Sequence, residues 1–124
     1  IITVQTLNRT MKKVFVDTGS SVNVIFKYAY DKMKLPSEVL KPSPEPIFDF
    51  NNTTTVPVGS ARLLVTVGTM PLNKSFYANF LIINQTLPYN AFLGRPALVD
   101  MGEIISQKDL LIQELWFRKS VPTI

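Results

Sequence analysis

The sequence predicts a mainly β domain with one or two short helices, and three observations predict it. Apolar, β-branched or aromatic runs such as Val14–Val16, Ala61–Val67 and Phe76–Ile83 alternate with clusters of Asn, Gly, Ser and Pro. Helical spacing of apolar residues is confined to two short stretches, one after Ser21 and one after Gly94. Pro36, Pro42, Pro44 and Pro46 lie close together, and each lacks the backbone donor that a ladder interior needs. With 124 residues, one domain is expected. The 46% hydrophobic content is enough for a core without disulfides or metal.

Ile1–Leu7 is β-branched and alternating, Asn8-Arg9-Thr10 reads as a polar turn, and Lys13–Val16 resumes an apolar run, so a hairpin leads into Asp17. After Gly19-Ser20-Ser21, the spacing of Val22, Ile25, Phe26 and Ala29 or Tyr30 predicts a short helix ending near Leu35-Pro36. The prolines that follow predict a rigid, extended connection. Ile47–Phe50, the Asn51-Asn52-Thr53 turn and Thr54–Val58 predict a projecting hairpin. Ala61–Val67 and Phe76–Ile83 pair most simply as another. Tyr89–Gly94 reads as a strand ending in glycine, followed by a short helix from Arg95 to Met101 with Pro96 in its first turn. Glu103–Ile105 and Leu110–Ile112 are expected to form a last hairpin, and Ser120–Ile124 a frayed end.

Composition removes much chemistry. There is no Cys and no His, which excludes a disulfide framework, a thiolate nucleophile, a Ser-His-Asp triad and the usual zinc sites. Carboxylates become the first suspects for acid–base work. The net charge of +4 would suit an acidic partner, yet the basic residues are scattered, with Lys12-Lys13 and Arg118-Lys119 the longest runs. Nucleic-acid binding through this domain is therefore not expected. No apolar stretch approaches the roughly 18 to 20 residues of a membrane span. The first residues lack a signal-peptide layout, so an intracellular, cytoplasmic location is expected; the chain does not begin with Met, so it reads as an excised domain or processed fragment. The sequons at Asn8, Asn51, Asn52, Asn73 and Asn84 need a secretory route to matter. Trp116 and Phe117 suit either a partner contact or a last core anchor.

In Val14-Phe15-Val16-Asp17-Thr18-Gly19-Ser20-Ser21, an apolar strand delivers a carboxylate straight into a Thr-Gly turn, a costly place for a charge. On chemistry alone Asp17 reads two ways: as a helix cap or Asx turn, or as a carboxylate held rigidly with one face open. Gly19 permits close approach by a ligand or by backbone, and the Thr18 hydroxyl can bond a neighbouring main chain. A second string, Tyr89-Asn90-Ala91-Phe92-Leu93-Gly94-Arg95-Pro96, is by composition a buried strand running into a helix, with a glycine able to pack beneath the Asp17 turn.

Together these strings resemble the retropepsin-like aspartic proteases, most closely the domain in polyproteins of plant Ty3/gypsy-type retroelements. The resemblance spans roughly Thr3 to Ile112. It rests on the Asp17-Thr18-Gly19-Ser20 signature after apolar residues, the Phe48–Pro57 hairpin and the late Phe92-Leu93-Gly94-Arg95 string, in family order. It implies a closed acid-protease β-barrel over residues 1–118 with a frayed tail at 119–124. It also implies an active site built from two copies of the chain, no metal or organic cofactor, and a location in a virus-like particle or parent polyprotein. The chain has one Asp-Thr-Gly triplet, since Asp100-Met101-Gly102 lacks the hydroxyl residue, so a homodimer is needed to supply two loops.

Two carboxylates brought close on a symmetry axis cannot both ionise easily, so such a pair shares a proton. The ionised member takes a proton from water, which attacks a peptide carbonyl that the protonated member holds. By resemblance, Asp17 is catalytic, Thr18 reaches the partner loop, Gly19 leaves room for substrate, and Ser20 donates towards the carboxylates. Phe48, Asp49, Phe50, Asn51, Asn52, Thr53 and Thr54 form the flap over an extended polypeptide substrate. Phe92, Leu93, Gly94 and Arg95 support the loop. The sequence departs from the family at Ser20, where Ala is frequent, at the neutral Ser21, and at a hairpin tip without glycines. The resulting expectation is an aspartic endopeptidase that cleaves a polyprotein at apolar sites. The alternative is a catalytically silent retropepsin-like peptide-binding or dimerisation module.

Overall fold

The computed structural model describes residues 8–17, 19–67, 74–101 and 111–118. The chain is mainly β with short helices, as the alternation of apolar runs and turn clusters predicts. Strand β1 covers Asn8–Val16, β2 Asn23–Phe26, β3 Phe48–Phe50, β4 Thr53–Thr55, β5 Gly59–Val67, β6 Lys74–Ile83, β7 Ala91–Leu93 and β8 Leu111–Arg118. Helix α1 covers Lys27–Lys32 and α2 Arg95–Met101, with a 3-10 turn at Ser37–Val39. Six strands pair in the order β1-β7-β2-β6-β5-β8, and β8 pairs back with β1, so the ring of ladders returns on itself. None of the described helices is long and apolar enough to cross a membrane.

Two pairings are parallel, β1 with β7 and β2 with β6, and they place the ends of β1 and β7 side by side. Core packing explains the patterns of these strands. Ile25 of β2 and Phe80 and Ile82 of β6 face a large interior cluster with Val14, Val16, Leu63, Val65 and Leu93. Val24, Phe26, Leu81 and Ile83 face a second cluster with Phe48, Phe50, Leu87, Tyr89 and Phe92. Both faces of β2 are thus covered, so its residues do not alternate apolar with polar. Burial of Phe26 alone removes enough apolar surface to contribute about 2–3 kcal/mol.

Several expectations are corrected here. Asn8-Arg9-Thr10 is not a turn but the start of β1, paired with Arg118, Phe117 and Trp116. Without Gly or Pro, the polar triplet has nothing to stop a ladder that satisfies its backbone groups. The helix expected from Val22 begins only at Lys27. Val22–Phe26, broken by one Asn, is a short buried apolar run, and its helical spacing is equally that of a strand buried on two faces. The proline-rich connection is not uniformly extended: it holds the 3-10 turn, a bridge in which Lys41 and Ser60 exchange backbone hydrogen bonds at 2.8 Å, and a turn in which Ser43 Oγ donates to the Glu45 carbonyl at 2.8 Å and accepts from the Glu45 N–H at 3.0 Å.

The hairpin forms as expected. Asn51 and Asn52 both take left-handed φ, 57° and 60°, which is the geometry of a two-residue primed turn between β3 and β4. Strand β4 stops at Thr55, short of the expected Val58. The expected hairpin of β5 and β6 is antiparallel from Gly59↔Ile82 to Val67↔Lys74. The last expected hairpin falls largely on residues 103–110, outside the described residues, as do the 1–7 strand and the 119–124 tail. What is described of the C-terminal segment is β8, which pairs with β1 and β5.

One polar group in the core has a measurable consequence. The Tyr30 hydroxyl is buried and has no hydrogen-bond partner among the described residues. Burial, and then the neighbouring Asp31 charge, push its phenol above the ordinary value of 10.0. A pKa raised in the folded state means full stability below about pH 10, lost as pH rises through the folded value. Tyr30→Phe is expected to raise urea stability by about 1 kcal/mol at neutral pH and to flatten the alkaline decline. Unchanged or lower stability in urea titrations would count against an orphaned hydroxyl.

Candidate active site

The site is built where β1 and β7 end together. Val14, Phe15 and Val16 run parallel to Ala91, Phe92 and Leu93, and the Asp17 N–H donates to the Leu93 carbonyl at 2.8 Å, one step beyond the ladder. Asp17 is thus fixed to the barrel by its backbone while its carboxylate leaves the core half-buried. The Gly19 N–H donates to Asp17 Oδ1 at 2.9 Å, and the Ser20 N–H to the Asp17 carbonyl at 3.1 Å. No other hydrogen bond to the carboxylate is made among the described residues. The Asx turn of the bland alternative is therefore present, but the helix cap is not, because the chain continues from Ser21 into β2.

The loop rests on the β7–α2 junction. A Cβ on Gly94 would lie 2.3 Å from the Val22 carbonyl oxygen and 2.7 Å from that of Ser20, so the two backbones touch where only glycine fits. The Arg95 N–H donates to the Ser20 carbonyl at 2.9 Å. The Gly94 N–H donates to Asn23 Oδ1 at 2.8 Å, and Asn23 Nδ2 donates to the Asn79 carbonyl at 3.1 Å. Asn23 is almost fully buried and connects the loop, the glycine and β6. Its signal in the sequence is a single amide inside the apolar run Val22–Phe26. Asn23→Ala leaves the Gly94 N–H and the Asn79 carbonyl without this partner and is expected to cost about 2 kcal/mol. A urea midpoint within error of the parent's would remove Asn23 as a loop anchor.

Above the loop stands the β3–β4 hairpin, and between them lies a cleft of about 340 Å³. Its described lining is Asp17, Gly19, Ser20 and Ser21 on one side, Phe48, Asp49, Phe50 and Asn51 on the hairpin, and Leu87 and Phe92 at the back. Aromatic packing seats the hairpin: the Phe50 ring meets Phe92 edge to face at 5.0 Å between centroids and Phe26 at 5.8 Å. Gln85 Nε2 donates to the Phe50 carbonyl at 3.4 Å. The back wall is held in turn by the Tyr28 hydroxyl, which lies within hydrogen-bond reach of the Leu87 and Tyr89 carbonyls.

Of the residues predicted from sequence, Asp17, Gly19, Ser20, Phe48, Asp49, Phe50, Asn51 and Phe92 are brought to this cleft. Leu93 and Gly94 lie buried beneath it, and Arg95 is exposed at the start of α2. Asn52, Thr53 and Thr54 do not line it; they are exposed at the hairpin tip and return strand. Thr18 falls outside the described residues, as do the side chains of Trp116 and Phe117. The role expected of Ser20 is corrected. Its hydroxyl donates to the Val22 carbonyl at 2.7 Å, so its single proton is not directed at Asp17. Sequence reasoning does not find Asn23, Tyr28 or Leu87: the lone amide of Asn23 in an apolar run is the one local signal, and Tyr28 and Leu87 meet only because the fold brings α1 against the connection after β6.

No family model, curated protein or solved structure matches the chain.

Proposed function

We propose that the chain is a retropepsin-like aspartic endopeptidase, its ring of strands an acid-protease barrel, active as a homodimer on segments of a parent polyprotein. The observation that carries the reading is the Asp17 carboxylate in the wall of a cleft roofed by a two-stranded hairpin. In the homodimer, Asp17 from each copy faces the other across the symmetry axis, and the pair holds one proton. The ionised carboxylate takes a proton from water as the water attacks the peptide carbonyl. The protonated partner donates to the carbonyl oxygen, and the tetrahedral adduct collapses with protonation of the leaving nitrogen. The aromatic back wall takes an apolar side chain, and the hairpin limits access of bulk water.

The rival reading, a silent peptide-binding or dimerisation module, draws on the hairpin: its tip is Asn51-Asn52 rather than glycine, and Phe50 is packed against Phe26 and Phe92. Incubating the protein with a mixed peptide library between about pH 4 and 7, over a range of protein concentrations, separates the two. Turnover per chain that climbs with dimer formation is the expected result. A folded dimer that binds peptides and releases no products would establish the silent module instead.

A further inference from the structure

We infer that the Tyr28 hydroxyl is a positioning group for substrate selection: it holds the Leu87 and Tyr89 backbone behind the cleft and thereby fixes the size of apolar side chain that the cleft accepts. The inference rests on the peptide-cleft reading above and concerns the selectivity of that same site.

The back of the cleft has a fixed part and an adjustable one. Phe92 belongs to β7, which pairs with β1 on one side and β2 on the other, so two ladders hold its backbone. Leu87 belongs to residues 84–90, between β6 and β7, which form neither strand nor helix. The far end of that connection is tied by Asn90, whose N–H donates to the Lys13 carbonyl at 3.0 Å and whose carbonyl accepts from the Phe26 N–H at 3.1 Å. Nearer its middle, among the described residues, the hydrogen bonds to the Leu87 and Tyr89 backbone come from one group, the Tyr28 hydroxyl. It donates to the Leu87 carbonyl at 2.7 Å, and the Tyr89 carbonyl lies within reach of the same oxygen. A phenol has one proton to give, so two peptide groups are gathered about a single donor.

Tyr28 is a rigid post for this purpose. Helix α1 begins directly after β2, and the Tyr28 ring stacks on that of Phe26, 5.9 Å between centroids and 9° from parallel. Phe26 is fully buried and meets Phe92 edge to face at 5.8 Å. The fixed part of the wall and the post that holds the adjustable part therefore share one aromatic stack. Tyr28 is not among the described residues that line the cleft, so it acts through Leu87, which is. Burial raises its phenol above the ordinary 10.0, against the opposite pull of the Leu87 hydrogen bond. The donor proton thus stays in place over the acidic to neutral range in which a shared carboxylate pair works. A pinned wall penalises a side chain that is too long by overlap and one that is too short by an unfilled gap. A wall released from its post adapts to both, and selection by size is lost.

The test uses matched fluorescent peptides with a central Ala, Leu, Phe or Trp. Binding is measured by fluorescence anisotropy in an Asp17→Asn background, which stops turnover. With Tyr28 in place, affinities across the series are expected to spread by about tenfold or more. Tyr28→Phe keeps the ring stack and removes the hydroxyl, and the spread should shrink to within about threefold. Leu63→Ala truncates the other core cluster, so it lowers stability without touching the connection and should leave the spread as it is. A spread that survives Tyr28→Phe, or one that shrinks equally in Leu63→Ala, would overturn the inference. Cleavage is scored separately in chains that keep Asp17, where Tyr28→Phe should act on KM rather than on kcat. A spread that narrows without any cleavage keeps the inference and removes the protease. Cleavage with a spread indifferent to Tyr28 does the reverse, and failure of every chain to bind peptide overturns both.

Discussion

Asp17→Asn is expected to lower peptide cleavage by about a hundred- to ten-thousand-fold while leaving the fold in place. The substitution is nearly isosteric. An asparagine oxygen still accepts from the Gly19 N–H, the 2.9 Å contact that shapes the turn, and the backbone bond to the Leu93 carbonyl does not involve the side chain. What is lost is a group able to take a proton from water. Kinetics on a fixed apolar peptide, with thermal melting as the control, read both effects. The shared-site mechanism adds a sharper expectation. When equal amounts of parent and variant chains are mixed and allowed to exchange, about one quarter of the dimers carry two aspartates, so activity should fall to about a quarter rather than a half. A linear decline would mean that each chain works alone, and full activity in the variant would remove Asp17 from catalysis.

The parts of the fold that could be read from sequence are those with local causes. The Asn51-Asn52 hairpin and the β5–β6 pair are written in turn chemistry and in runs long enough to show their period. Strand β2 is not legible in the sequence because its burial comes from two clusters assembled out of distant segments, so a run covered on both sides carries the spacing of a helix. Asn8-Arg9-Thr10 looks like a turn for the same kind of reason, since the partner that makes it a strand is β8, far along the chain. At the cleft, Asp17, Gly19 and Gly94 stood out because a charge or a glycine at the end of an apolar run needs a cause. Leu87 is an ordinary residue in a connection, and only the fold brings it to the cleft. The Ser20 role failed on hydrogen-bond supply: a hydroxyl has one proton, and the nearby Val22 carbonyl takes it.

Gly94→Ala should be the most damaging alanine substitution among the described glycines, and it separates the support of the loop from its chemistry. The added methyl carbon would meet backbone oxygens at 2.3 and 2.7 Å, and neither can turn aside as a side-chain end could. Relief requires the Ser20–Val22 segment to move off the β7–α2 junction. That movement strains the hydrogen bonds from the Gly94 N–H to Asn23 and from the Arg95 N–H to Ser20. The combined cost is expected to reach about 3 kcal/mol or more, at the upper end of overpacking, and to lower the urea midpoint by more than about 1 M. Gly19→Ala is the informative contrast. There the methyl would lie 3.3 Å from Asp17 Oδ1, tight against the end of a side chain rather than against backbone. It should cost under about 1 kcal/mol of stability yet displace the carboxylate and depress cleavage. If both variants unfold alike, the loop and its support are one unit; if Gly94→Ala melts with the parent, the Val22 segment yields easily and the close stack is not what holds Asp17 in place.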